Sequence, residues 1–256
     1  MTNQKRFSVI MAVRNGENFI KKALQSLIEN LEVNDELIVI DDNSTDNTAD
    51  IIKKFLGTKI NYTIIHLKKN VGPAKARNIA LKKANGKFIT FLDHDDYFPK
   101  KRLENHLKIF KKYKYVDVVR GFAKFIFMNK RLLKLSREEN KYNKRITSLG
   151  IIKGSELLGA LSFRKRIFNS INLNSKFKYG EDTDLIFKLV IQGYKFYNQK
   201  KVALFYRIHG KNMTLTKKHS VFGKDPSKLK KIIESRKFIT RSIIHNLRLR
   251  IKKNFI

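Results

Sequence analysis

Short apolar runs alternate with amphipathic segments along the first hundred residues. Runs rich in β-branched and aromatic residues predict four strands, at 7–13, 36–40, 60–67 and 87–92. Apolar residues at helical spacing predict four helices, at 18–31, 48–56, 73–84 and 99–113. Because near-continuous apolar strands alternate with helices, this part of the chain predicts a parallel sheet covered by helices on both faces.

The rest of the chain has a less regular pattern. Residues 116–128 predict one long strand or two, and residues 195–208 predict another strand. Residues 182–192 predict a helix that ends at Gly193. The stretch 129–152 is polar and predicts a loop or an irregular helix, and a basic helical pattern runs from about Gly223 to the end.

Composition limits the class of protein. With 256 residues and 42% apolar content the chain can form a substantial core, and without cysteine it forms no disulfide and no thiolate metal site. No apolar stretch approaches the roughly 18 residues that span a bilayer. The N-terminal sequence lacks the features of a signal peptide, so we expect a cytoplasmic protein.

The net charge of +34, from 56 Lys and Arg against 22 Asp and Glu, indicates a polyanionic partner. Nucleic acid, an anionic membrane and a phosphate-bearing substrate all fit, and a coding bias toward lysine is the alternative explanation. Residues 227–256 place apolar residues on one helical face among Lys and Arg, and such a basic amphipathic helix can lie on an anionic membrane. Packing of this stripe on the catalytic domain or on a second subunit is the other interpretation.

Polar clusters follow each of the first four predicted strands. Their sequences are RNGEN, DDNSTDNT, KKNVGPAKARN and DHDDYF. Because ligands of such sheets bind at the carboxyl ends of the strands, we expect the clusters to meet on one rim. Carboxylates there suit a divalent cation, which in turn binds phosphate oxygens. Taken singly, each cluster is also explained as a turn or a helix cap, with capping residues such as Ser44, Thr45, Asp46 and Asp96.

Taken together, the clusters resemble the family 2 glycosyltransferases, which transfer sugars from nucleotide-diphospho-sugars on a GT-A fold. The resemblance covers about residues 6–216 and rests on six strings in the family's order: SVIMAVRN, VIDDNSTDNT, NVGPAKARNIAL, FLDHDD, YGEDTDLIFKLVIQGYKF and YRIHGKNMT. It implies an α/β, Rossmann-like, mostly parallel sheet flanked by helices. We expect a GT-A domain at 1–222, with a nucleotide-binding half at 1–100 and an acceptor-binding half at 101–222, and a basic amphipathic C-terminal helix at 223–256.

The resemblance implies nucleotide and metal roles for five residues of the first four clusters. Asp42 looks like the acidic residue that accepts from the base imide, a contact that favours uracil. Asp93 and Asp95 match the family's D-x-D motif, with Asp93 on the ribose or the metal and Asp95 on Mn2+ or Mg2+. Arg77 is expected to approach Asp93 or the phosphates, where a planar guanidinium fits. Arg14 stands where the family has an aromatic residue that stacks on the base.

The last two strings resemble the catalytic part of the family. In YGEDTDL, the resemblance implies that Asp182 is the base that deprotonates the acceptor hydroxyl and that Glu181 orients the acceptor or tunes Asp182. Acids at a helix N-terminus also suit the helix dipole, which is the structural alternative. In YRIHGKNMT, His209 is implied to ligate the metal and Arg207 to lie near the pyrophosphate. A carboxylate and imidazole set favours Mn2+ over Mg2+.

The sequence therefore predicts inverting transfer of one sugar from a UDP-sugar to a hydroxyl of a glycan or lipid-linked acceptor, in cell-surface polysaccharide or glycolipid synthesis. We expect the protein to contact the inner face of an anionic membrane and to bind no nucleic acid. The alternatives are a nucleic-acid-binding protein, which leaves the acids at the strand ends unexplained, and a nucleotidyltransferase. The latter usually has a Gly-rich basic loop after strand one, whereas RNGEN has a single glycine.

Overall fold

The computed structural model describes residues 6–128, 157–176, 180–209 and 212. In this part of the chain, one sheet contains seven strands: β1 (Phe7–Val13), β2 (Glu36–Asp41), β3 (Tyr62–His66), β4 (Phe88–Phe91), β5 (Val118–Phe127), β6 (Leu161–Arg164) and β7 (Phe196–Ile208). Their order across the sheet is β3-β2-β1-β4-β6-β5-β7. All neighbouring pairs run parallel except the two that involve β6. The predicted mostly parallel α/β sheet is confirmed.

The described residues also contain five α-helices: α1 (Ile20–Ile28), α2 (Thr48–Leu56), α3 (Pro73–Lys83), α4 (Arg102–Lys112) and α5 (Glu181–Ile191). Short 3-10 turns at Leu158–Ala160 and Lys165–Asn169 flank β6. The predicted polar stretch at 129–152 and the predicted helix at 223–256 lie outside the described residues.

The helices cover both faces of the sheet, so its central strands are apolar on both sides. In β1, Val9 and Met11 belong to the same buried cluster as Leu24 of α1. Ile10, between them, belongs to the opposite cluster with Ala80 of α3. Since successive residues of a strand point to opposite faces, burial of both faces accounts for the continuous apolar run.

The register of the strands brings their carboxyl ends to one rim. Val13 of β1 pairs with Asp41 of β2, and Ile10 pairs with Phe91 of β4. The backbone N–H of Asp42 donates to Val13 O at 2.8 Å, immediately beyond the end of β2. The polar residues that follow β1, β2 and β4 therefore begin at the same rim.

Arg102 anchors α4 to the antiparallel strand β6. Its side chain is buried and donates to Ser162 Oγ at 2.9 Å and to Leu161 O at 2.7 Å, while its guanidinium lies 4.3 Å from the Phe98 ring centroid. A buried cation without hydrogen bonds is costly, and these acceptors offset part of its desolvation, although burial still lowers the pKa of Arg102 to about 9. The contacts fix β6 between β4 and β5.

Candidate functional site

Hydrogen bonds join the loops that follow β1 and β2. The backbone N–H of Asn15 donates to Ser44 Oγ at 3.0 Å, and the N–H of Gly16 donates to Thr48 Oγ1 at 2.8 Å. In return, the Thr45 N–H donates to Asn15 Oδ1 at 2.9 Å. The hydroxyls of the DDNSTDNT string thus hold the first two polar clusters together on the rim.

Asp42 is buried and organises the loop that precedes α3. Its Oδ1 accepts from the Val71 N–H at 2.7 Å and its Oδ2 from the Gly72 N–H at 2.8 Å. Gly72 has φ +85°, a left-handed conformation that favours glycine. Because each carboxylate oxygen has two lone pairs, Asp42 keeps the capacity to accept a further hydrogen bond from a ligand.

Arg77, on α3, bridges two carboxylates from distant parts of the chain. Its Nη2 donates to Asp93 Oδ1 at 2.6 Å, just after β4, and its Nη1 donates to Glu181 Oε1 at 2.7 Å, at the start of α5. The Arg77 side chain is 8% exposed. Burial alone lowers the pKa of Arg77, but the charges of Asp93 and Glu181 outweigh burial and raise it above the ordinary arginine value. Arg77 therefore stays charged within the bridge.

Asp182 lies beside this bridge in the first turn of α5. The helix follows Gly180, whose φ of +86° again requires a left-handed backbone. Burial, reinforced by the negative charge of Glu181, raises the pKa of Asp182 to about 6, against the lowering effect of the Thr183 N–H that it accepts at 2.7 Å. A carboxylate that titrates near neutral pH can accept a proton and release it again.

Asp95 and His209 form a second side-chain pair on the rim. His209 Nε2 lies 3.1 Å from Asp95 Oδ2, and the His209 side chain is 8% exposed. Burial raises the pKa of Asp95, but the hydrogen bond from His209 and the charges of His94 and His209 bring it below its ordinary range. Asn212 supports the pair, since its Oδ1 accepts from the His209 N–H at 2.8 Å.

Arg207, at the end of β7, lies against the loop after β4 that carries Asp93, Asp95 and Asp96, the acidic loop. Its backbone N–H donates to Asp96 Oδ1 at 2.9 Å, its Nε donates to the Asp95 carbonyl, and its Nη2 donates to the Phe19 carbonyl at 2.8 Å. The guanidinium carbon lies 5.4 Å from the Phe19 ring centroid and 5.7 Å from that of Tyr97. Burial lowers the pKa of Arg207. These contacts keep its positive charge beside the carboxylates.

The acidic loop has a donor set that fits a hard divalent cation. Asp93, Asp95 and Asp96 each offer one carboxylate oxygen, and these oxygens lie within 4.8 Å of one another. The 3.1 Å separation of Asp95 Oδ2 and His209 Nε2 matches the distance of about 3 Å between neighbouring ligands of an octahedral ion bound at roughly 2.1 Å. The residues present therefore fit Mn2+ or Mg2+.

The structure brings most of the predicted site residues together. The contact expected between Arg77 and Asp93 is present, whereas its pairing with Glu181 was not expected. Arg14 is exposed in the loop after β1 and lies outside the ion-pair networks described above. The interpretation of Asp96 as a cap of the following helix is wrong, because α4 begins at Arg102 and Asp96 binds the Arg207 backbone instead.

Sequence reasoning missed two residues of the site, Phe19 and Asn212. Phe19 fitted the apolar face of the predicted helix, so the sequence carried no signal for its contacts with Arg207 and His209. Asn212 stands three positions after His209 in the quoted YRIHGKNMT string, and that spacing was an available signal for a supporting amide.

Among the described residues, no helix combines the length and the apolar character needed to cross a membrane. The basic stripe predicted in residues 227–256 lies outside those residues.

The known proteins that this chain resembles are glycosyltransferases. The family model of glycosyl transferase family 2 matches residues 8–171. The Escherichia coli protein UDP-Glc:alpha-D-GlcNAc-diphosphoundecaprenol beta-1,3-glucosyltransferase WfaP is 29% identical over 218 residues, which make up 82% of this chain and 80% of WfaP. An uncharacterized glycosyltransferase of Haemophilus influenzae is 40% identical over 105 residues, 41% of this chain and 42% of that protein. The chain thus matches less than half of the length of the Haemophilus relative.

Solved structures show the same fold. The crystal structure of S. aureus TarS 1-349 in complex with UDP-GlcNAc has a TM-score of 0.66 and 26% identity, and the match covers 80% of this chain and 59% of that one. The mannosyltransferase PcManGT from Pyrobaculum calidifontis, in complex with GDP-Man and Mn2+, has a TM-score of 0.66 at 19% identity over 82% of this chain and 59% of its own, a likeness of fold alone. Since the family model matches more than half of the sequence, this chain belongs to glycosyl transferase family 2.

Proposed function

We propose that this chain is an inverting glycosyltransferase that moves one sugar from a UDP-sugar to a hydroxyl of a glycan or lipid-linked acceptor. The proposal is carried by the position and the pKa of Asp182. This carboxylate lies beside the bridge from Arg77 to Asp93, and its pKa is raised to about 6. A general base works best when its pKa is near the working pH. Asp182 therefore has the chemistry needed to activate a sugar hydroxyl next to the rim.

The proposed reaction is a single displacement. Asp182 takes the proton of the acceptor hydroxyl as its oxygen attacks the anomeric carbon. The new carbon–oxygen bond forms while the bond to the diphosphate breaks, and UDP leaves with the electron pair. Attack opposite the leaving group inverts the configuration at the anomeric carbon. Glu181, fixed by Arg77, keeps a negative charge near Asp182 that favours proton uptake.

The donor is held by residues after β1, β2 and β4, by Arg77 of α3 and by Arg207 at the end of β7. Asp42 accepts from the base imide, a contact that selects uracil over cytosine, which has no proton there. Asp93 and Arg77 bind the ribose and phosphates, and Arg207 supplies positive charge near the pyrophosphate. Arg14, exposed at the rim, stacks on the base. The complexes of TarS with UDP and with UDP-GlcNAc support a uridine donor here.

Asp95 and His209 would hold the divalent cation, with Asp93 and Asp96 beside them. The cation neutralises charge on the leaving diphosphate when bound. The imidazole in the donor set favours Mn2+ over Mg2+.

The acceptor lies at an anionic membrane in the proposed reaction. The name of WfaP describes a diphosphoundecaprenol-linked acceptor, which supports a lipid-linked acceptor for this chain.

The basic stripe in residues 227–256 would adsorb the protein on the inner face of the membrane, at about 1 kcal/mol for each Lys or Arg near the surface. Co-sedimentation of the full chain with anionic vesicles, but not of a Lys230→Glu, Lys231→Glu, Arg241→Glu variant, tests this adsorption. Equal binding of the two proteins contradicts it.

A donor screen tests the proposed activity. Melting of the protein with UDP-, GDP-, CMP- and dTDP-sugars, each with and without Mn2+, measures which nucleotide binds, since a bound ligand raises the melting temperature. We expect stabilisation by UDP-sugars that depends on Mn2+. Stabilisation by a different nucleotide sugar, or by none of them, contradicts the proposed donor.

A further inference from the structure

The loop after β1 and the acidic loop make close contact at Gly16. A Cβ atom added to Gly16 would lie 2.7 Å from Cδ2 of His94 and 2.8 Å from Cγ2 of Val13, so a larger residue does not fit without a shift of these side chains. Gly16 is buried, and its N–H donates to Thr48 Oγ1 at 2.8 Å. The lack of a side chain at Gly16 thus lets the His94 ring pack directly on the main chain.

One edge of the His94 ring is packed, while its nitrogens have no partner among the described residues. The Cγ–Cδ2 edge faces Gly16, which places Nδ1 on the side of the ring away from that glycine. His94 is half-buried, and no described residue forms a hydrogen bond with either ring nitrogen. In the same part of the chain, the buried polar atoms that lack a partner belong to other residues, so both nitrogens of His94 are open to solvent. An imidazole in this setting can donate one N–H to a ligand.

His94 lies between the residues proposed for the base and those proposed for the cation. Gly16 stands two positions after Arg14, which is proposed to stack on the base. Asp93 and Asp95 flank His94 in the chain, and Asp95 is a proposed ligand of the cation that binds the diphosphate. In a nucleoside diphosphate, the ribose and the α-phosphate connect the base to the β-phosphate. A ring held between these two loops is therefore placed to meet the α-phosphate.

We propose that His94 binds the α-phosphate of the nucleotide donor through an imidazole N–H. The inference rests on the proposed function, in which the base lies at the loops after β1 and β2 and the diphosphate lies at the acidic loop. A hydrogen bond to a charged phosphate oxygen is stronger than one between neutral groups. The contact adds a side-chain donor to the positive charges of Arg207 and the cation.

Calorimetric titration of the full chain with UDP in the presence of Mn2+ tests this contact. His94→Leu keeps a side chain that can pack on Gly16 but removes both nitrogens, whereas His94→Asn keeps an N–H close to the position of Nδ1. We expect His94→Leu to raise the Kd of UDP by about tenfold, the scale of a hydrogen bond to a charged group, and His94→Asn to stay within about threefold of the wild type. An unchanged Kd in a folded His94→Leu protein overturns the proposal, as does an equal loss in both variants.

Binding of Mn2+ without nucleotide separates this contact from the metal site. The EPR signal of free Mn2+ measures that binding in the wild type and in His94→Leu. We expect equal Kd values for Mn2+, because His94 is assigned to the phosphate and not to the cation. A loss of Mn2+ affinity as large as the loss of UDP affinity means that His94 acts through the cation and overturns the proposal.

Failure of the proposed function gives a different result from failure of this contact. If the wild type does not bind UDP, the proposed donor fails and the role of His94 fails with it. Equal UDP binding by the wild type and His94→Leu contradicts the role of His94 alone. His94→Ala repeats the comparison if His94→Leu does not fold, and loss of the cooperative melting transition in both variants makes the ring part of the fold and also overturns the proposal.

Discussion

Arg77 and Glu181 stand 104 positions apart in the chain, and their side chains form a buried ion pair in which Arg77 Nη1 donates to Glu181 Oε1 at 2.7 Å. The same guanidinium donates through Nη2 to Asp93 Oδ1 at 2.6 Å. A single cation thus joins the residue after β4 to the first turn of α5. The planar fork of arginine suits this arrangement, since it can bind two carboxylates at once.

Removal of Arg77 is expected to destabilise the fold. Arg77→Met leaves Glu181, whose side chain is 10% exposed, without its partner, and loss of one partner of a buried pair costs about 3 kcal/mol of unfolding free energy. Urea unfolding measures this loss. Lys108→Met is the control, because Lys108 pairs with Glu104 at 2.6 Å but both side chains are exposed, at 71% and 50%, and a pair so exposed to water contributes little to stability. Equal losses in the two variants contradict a special role for the buried bridge.

The pH dependence of kcat/KM is expected to follow the protonation of Asp182. The base is active when deprotonated, so kcat/KM falls as the pH decreases through about 6, the raised pKa of Asp182. Glu181→Gln removes a negative charge that raises this pKa, and the acid limb of the profile therefore moves to lower pH. Asp184→Asn, in the same helical turn, is the control that leaves the limb in place. An acid limb that does not move in Glu181→Gln contradicts the assignment.

The parallel part of the fold could be predicted from the sequence because its signals are local. β1 and α2 have the predicted bounds, since turn residues follow each of them, Asn15 and Gly16 after β1 and Gly57 after α2. α4 begins at Arg102 rather than at the predicted 99, because the Asn30 side chain accepts from the Arg102 N–H at 2.8 Å. The antiparallel strand β6 has only four residues, and its direction is set by pairing with β4 and β5, which no local pattern reveals.

The sequence indicated which residues belong to the candidate site but not most of the contacts between them. The strand ends indicated Asp42, Asp93 and Asp95, because polar residues after apolar strands must lie on the rim. The bridge from Arg77 to Glu181 and the stack of Phe19 on His209 depend on tertiary contacts between distant segments. Those contacts follow from how α5 and β7 pack, which sequence spacing does not specify.

Binding of UDP is expected to depend on a divalent metal ion held by Asp95 and His209. Removing either ligand, as Asp95→Ala or His209→Ala, should weaken Mn2+-dependent binding of UDP by about tenfold or more, the scale of changes at and around metal ligands. Calorimetric titration of UDP with Mn2+ and with EDTA measures this dependence. Asp50→Ala, which removes an exposed acid of α2, is the control for the loss of one negative charge. UDP affinity that is unchanged by EDTA contradicts the metal site.

The turnover of Asp182→Asn, with donor and acceptor both saturating, tests the proposed catalytic role most directly. The amide keeps the size of the side chain and an oxygen that can accept the Thr183 N–H, but it cannot take a proton at neutral pH. We therefore expect unchanged UDP affinity and a kcat lower by about 10²-fold or more, with Asp184→Asn near the wild-type value. A kcat of Asp182→Asn close to that of the wild type would contradict the role of Asp182 as the base.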